Sequence, residues 1–133
     1  VLSRNPDTVF IEFGINDAYE PFHISVETCR SRLENMIDVI LKHNPDCEII
    51  LLTTNAVAGK PAEVRPHLED YYQVYRDVAK ERSLLLVDMY PLWQKLLQDD
   101  RATYDRYVRD GLHPGALGCE KVITPAILDA MGF

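Results

Sequence analysis

Three short apolar runs separated by amphipathic stretches dominate the chain. Residues 8–13, Thr-Val-Phe-Ile-Glu-Phe, form a nearly continuous β-favouring run between Pro6-Asp7 and Gly14. This pattern predicts a strand buried on both faces, as in a parallel sheet. Ile49-Ile50-Leu51-Leu52-Thr53-Thr54 predicts a second such strand, and Leu84-Leu85-Leu86-Val87 a third that ends at Asp88.

Between the runs the apolar period changes from two to three or four. Val26, Cys29, Leu33, Met36, Ile37, Ile40 and Leu41 share one helical face, with Arg30, Arg32, Glu34 and Asp38 opposite. Ser25 is the expected N-cap, and Asn44-Pro45 the expected stop. Residues 55–66 carry Gly59, Pro61 and Pro66 and predict a loop. A helix is expected over residues 68–82, with Leu68, Tyr71, Tyr72, Tyr75, Val78 and Ala79 on its apolar side. Beyond Asp88 the expectation is a short helix over residues 91–97 and a polar connection over residues 99–109. A final helix is expected over residues 115–130, bent at Pro125, which lacks an amide proton. Alternating strands and helices predict a three-layer α/β/α domain around a parallel sheet, built from right-handed βαβ units. Its 133 residues suffice for one such domain, with no linker or internal repeat.

In folds of this kind ligands bind beyond the carboxyl ends of the strands. Gly14-Ile15-Asn16-Asp17 follows the first strand, and Asp110-Gly111-Leu112-His113-Pro114 precedes the last helix. Either motif alone is an ordinary turn with capping side chains. Together they are chemically complementary. An acid three residues before a histidine can hold Nδ1 and leave Nε2 free as a general base. An asparagine amide at a strand end is a fixed donor for an oxyanion.

These two blocks resemble the third and fifth blocks of the SGNH (GDSL-type) serine hydrolases, in the family's order and at compatible spacing. Val78-Ala79-Lys80 leading into Leu86-Val87-Asp88 is similar to the family's approach to its last strand. The resemblance implies a flavodoxin-like sheet order and a carboxylic-ester hydrolase working through an acyl-enzyme. It assigns Asn16 as oxyanion donor, Asp110 as the orienting acid and His113 as the base, with no cofactor or metal. One departure is plain. The family's nucleophile lies in a Gly-Asp-Ser block on its first strand, and none of Ser3, Ser25, Ser31 and Ser83 follows Gly-Asp. The chain opens Val1-Leu2-Ser3 without a methionine, so the serine, an oxyanion glycine and the first strands are expected upstream. Residues 1–133 then form one amino-terminally incomplete domain. The apolar run 8–13 has no Lys or Pro to protect an edge, and it is expected to pair with an upstream segment or with a second copy.

A competing reading keeps the domain as a non-catalytic binding or scaffolding module, favoured by the missing serine and opposed by retention of Asn16, Asp110 and His113 together. A flavodoxin-like nucleotide binder lacks the glycine-rich phosphate loop. The net charge of −7 argues against a nucleic-acid surface, and no apolar run is long enough to span a membrane. A small-molecule ester is the expected partner. Cys29, Cys47 and Cys119 show no metal-binding spacing and read as buried or half-buried free thiols suited to a reducing compartment. Asp88 is read as a helix cap and Glu12 as a buried structural carboxylate. Asn55 and its loop are placed on the substrate side by topology alone. The tyrosines at 71, 72, 75 and 90 are assigned to the core, and His23, His43 and His67 to solvent.

Overall fold

The computed structural model describes residues 2–133. Three parallel strands, β1 (Thr8–Ile11), β2 (Glu48–Thr53) and β3 (Leu85–Asp88), form a sheet in the order β1-β2-β3. Thr8 pairs with Glu48 and Ile11 with Leu51, while Ile50 pairs with Leu85 and Thr53 with Asp88. Two long helices make the crossovers: α2 (Val26–His43) and α4 (Leu68–Arg82). The short α1 (Gly14–Asp17) follows β1, and α3 (Lys60–Glu63) lies between β2 and α4. After β3 come α5 (Tyr90–Asp99), α6 (Arg101–Tyr107), α7 (Ala116–Gly118) and α8 (Thr124–Ala130).

Both crossovers advance along the sheet in one direction, so right-handed connections put α2 and α4 on the same face. They pack together there, and Arg30–Glu81 and Arg82–Asp38 ion pairs join their outer rims. Cys29, Leu33, Ile37 and Ile40 are the buried stripe of α2, and Ser25 caps it by accepting from the Thr28 amide at 3.2 Å. β2 is buried from Ile49 to Thr53, as the central strand of a covered sheet requires. No described helix is long and apolar enough to cross a membrane.

Several expectations are corrected. The first strand stops at Ile11, and it is not buried on both faces. Phe10 is 45% exposed and Phe13 49%, because no strand lies on the outer side of β1 among the described residues. Glu12 is likewise exposed rather than buried, although partial desolvation raises its carboxyl pKa. Residues 99–109 contain a helix, α6, where a polar connection was expected. Asp100 caps it by accepting from the Thr103 amide at 3.0 Å, and Tyr104 and Val108 anchor it in the core. The last helix is divided by a π turn over Cys119–Ile123, where the Thr124 amide reaches back to the Cys119 carbonyl. The wider turn lets the chain reach Pro125, which supplies no amide donor, in the first turn of α8.

Asp88 does not cap α5. Its carboxylate accepts from Thr53 Oγ1 at 2.6 Å and from Arg76 Nε at 2.8 Å, tying β2, β3 and α4 together. Cys29 and Cys47 are buried as expected, while Cys119 is exposed.

Candidate functional site

The acid and the histidine meet as their spacing requires. Asp110 Oδ1 accepts from the amides of Leu112 at 2.9 Å and His113 at 2.7 Å, and Oδ2 lies 2.6 Å from His113 Nδ1. These three contacts hold the Asp110 carboxyl well below the usual carboxylate range, the His113 amide and ring being the chief causes. An ionised carboxylate can only accept, so Nδ1 donates to Asp110 and the acceptor position of the neutral imidazole tautomer is Nε2. Both side chains are open to solvent, His113 at 76% and Asp110 at 55%. The loop that carries them turns at Gly111, whose φ of +73° is in the left-handed region. A side chain there would also collide with the Ala58 carbonyl, 2.3 Å from a Cβ position.

Asn16 sits in the helical turn just past β1 and is exposed. The turn forms because the Asn16 and Asp17 amides bond to the Phe13 carbonyl, while the Phe13 amide donates to Tyr75 Oη at 2.9 Å. Gly14 rests on the rings of Tyr72 and Tyr75, 3.2–3.3 Å from a Cβ position. The tyrosines assigned to the core are there, and two of them seat this turn.

The loop after β2 touches both motifs. On one side the Asn55 Nδ2 donates to the Leu112 carbonyl at 2.9 Å and the Ala58 amide to Gly111 at 3.0 Å. On the other, Arg65 Nε donates to the Ile15 carbonyl at 2.8 Å and the Glu20 amide to Val64 at 3.1 Å. Asn55 is 2% exposed. It therefore lies beneath the site, not on the substrate side where topology had placed it. Arg65 was not singled out from sequence at all; its partner is fifty residues away in the chain.

The family model for GDSL-like lipases and acylhydrolases matches residues 1–121. An acetylxylan esterase from Geobacillus stearothermophilus is 26% identical over the whole chain and 63% of its own length. Its solved structure superposes with a TM-score of 0.79 over 100% of this chain and 63% of that one, at 26% identity. A lipase/acylhydrolase from Enterococcus faecalis gives a TM-score of 0.75 at 28% identity, over 98% of this chain and 63% of its own. The chain thus spans about 63% of the length of these relatives. With three parallel strands and helices arranged as in these structures, the chain belongs to the GDSL-like lipase/acylhydrolase family.

Proposed function

We propose that residues 1–133 supply the base, its orienting acid and an oxyanion donor to a carboxylic-ester hydrolase whose serine lies outside them. The observation that carries this reading is the Asp110–His113 contact at 2.6 Å, which leaves Nε2 available to take a proton. In the reaction the serine oxygen bonds to the ester carbonyl carbon as its proton passes to His113 Nε2. The Asn16 amide donates to the developing oxyanion, a role worth about 2.7–4 kcal/mol per donor in comparable sites. The protonated His113, stabilised by Asp110, returns the proton to the leaving alcohol; water, activated by the same base, then hydrolyses the acyl-enzyme.

The bare outer edge of β1 supports the same proposal. Phe10, Phe13, Met36 and Val39 line an apolar groove of about 330 Å³ between β1 and α2. A further strand of the same protein would cover it and satisfy the β1 backbone. The acetylxylan esterase relative makes an acetylated sugar the first substrate to try, beside a simple nitrophenyl ester.

The polypeptide carrying a Gly-Asp-Ser segment ahead of residues 1–133 is expected to react with a fluorophosphonate probe and to hydrolyse 4-nitrophenyl acetate. His113→Ala should abolish turnover. Residues 1–133 alone should remain unlabelled; labelling at one of their four serines would overturn the assignment. A serine-bearing polypeptide that neither labels nor turns over ester would favour the binding-module reading instead.

A further inference from the structure

We infer that the loop after β2 is a common brace for the two halves of the site, with Asn55 and Arg65 as its positioning residues. The inference rests on the hydrolase reading for what is being positioned. Asn55 donates both amide protons to carbonyls, Ala56 at 3.0 Å and Leu112 at 2.9 Å, so its side chain fixes the residue next to His113. Tyr104, fully buried, donates to the Ala56 carbonyl at 2.7 Å and holds the same stretch from below.

Arg65 is the more telling of the two. It is only 8% exposed, and among the described residues no carboxylate pairs with it. Burial lowers its pKa, the sign of a cation held at a cost. Its donors go to the carbonyls of Ile15 at 2.8 Å and Pro61 at 3.2 Å, and its guanidinium lies 4.8 Å from the Tyr19 ring centre. A core needing only apolar filling would gain nothing from this arrangement. What it fixes is the carbonyl immediately before Asn16. One loop therefore sets the oxyanion donor and the base relative to each other, although 97 residues separate them in the chain.

The test uses the serine-bearing polypeptide with Asn55→Leu, which keeps the volume and removes the donors, and Arg65→Met, which keeps the stem. Each is expected to lower kcat about tenfold or more with KM within about twofold, the scale of an ångström-sized misplacement. Arg65→Lys, able to reach one of the two carbonyls, should recover part of the loss. Val78→Ala, a core substitution in α4, should lower the melting temperature while leaving kcat unchanged at temperatures below it. Wild-type kcat in Asn55→Leu or Arg65→Met would overturn the brace, as would a kcat loss in Val78→Ala that tracks its melting temperature.

A second readout is independent of turnover. By NMR, Asn55→Leu should move the His113 ring resonances and leave the Asn16 side-chain amide in place, and Arg65→Met should do the converse. Unmoved resonances in both variants would sink the brace even if the wild-type protein proved inactive, whereas inactivity with the expected shifts would count against the hydrolase reading alone.

Discussion

The two edges of the sheet are built to different standards. Beyond β3, Trp93 and Tyr104 are fully buried with their rings edge to face, and Arg76 and Thr53 hold Asp88 in place. Along β1, Phe10, Phe13 and Val39 keep roughly half their surface in water. The Asp110–His113 pair follows α6 on the finished side, and its loop is tied to the loop after β2. Asn16 stands at the open side, in the turn that follows the strand where the further strand is proposed to join. The difference separates what this chain builds for itself from what it offers to a neighbouring segment.

The largest effect should come from the finished side. In the serine-bearing polypeptide, Asp110→Asn removes the acceptor that fixes the His113 tautomer, and kcat should fall about 10⁴-fold. A loss under about tenfold would mean that the pair is not the working base. Next, Trp93→Ala should cost about 3–5 kcal/mol in thermal or denaturant unfolding. Phe10→Ala in residues 1–133 should cost under about 0.5 kcal/mol. In sedimentation those 133 residues should self-associate, and Phe10→Lys should restore the monomer. A monomeric wild-type chain with a cooperative transition would show that β1 needs no cover, and the contrast between the edges would collapse.

Less than Trp93→Ala but more than Phe10→Ala, Asp88→Asn should cost about 1–2 kcal/mol, since it weakens charge-assisted bonds to a half-buried Arg76. The smallest effect is alkaline. Burial, with Asp17 beside it, pushes the Cys29 thiol up to about 12, and burial also pushes Tyr104 up to about 12. Both groups hold their protons more tightly when folded, so their contribution is complete below about pH 9 and is lost as pH rises toward 12. The melting temperature should be flat up to about pH 9 and fall above it, while iodoacetamide at about pH 8 should find Cys119 before Cys29.

What could be read from sequence was what is local. β2 was legible because burial on both faces leaves a continuous apolar run. The acid–base pair was legible because Asp110 and His113 meet across three residues. The end of β1 was not, because it is set by Tyr75 capturing the Phe13 amide from 62 residues away. α6 was missed because its apolar signal is only Tyr104 and Val108, although Asp100 and Thr103 spelled a cap. Topology pointed to Asn55 but not to its bonding role, and Arg65 carried no signal, since their partners lie 57 and 50 residues off. The Asp88 cap was the wrong choice between two local preferences of aspartate; a tertiary cation won.

The parallel register has a kinetic corollary. Thr8 lies beside Glu48 at a separation of 40 residues, and Thr53 beside Asp88 at 35, so neither strand pair can zip from a hairpin. Every ladder must close a long loop before any of its hydrogen bonds forms, and that entropy is spent in advance. α2 and α4 shorten the search by condensing most of each loop into a rod, so the order of events should run from helix to sheet. Until β2 docks, the apolar strands remain unpaired together, and the interval before docking is when this chain is most exposed to aggregation.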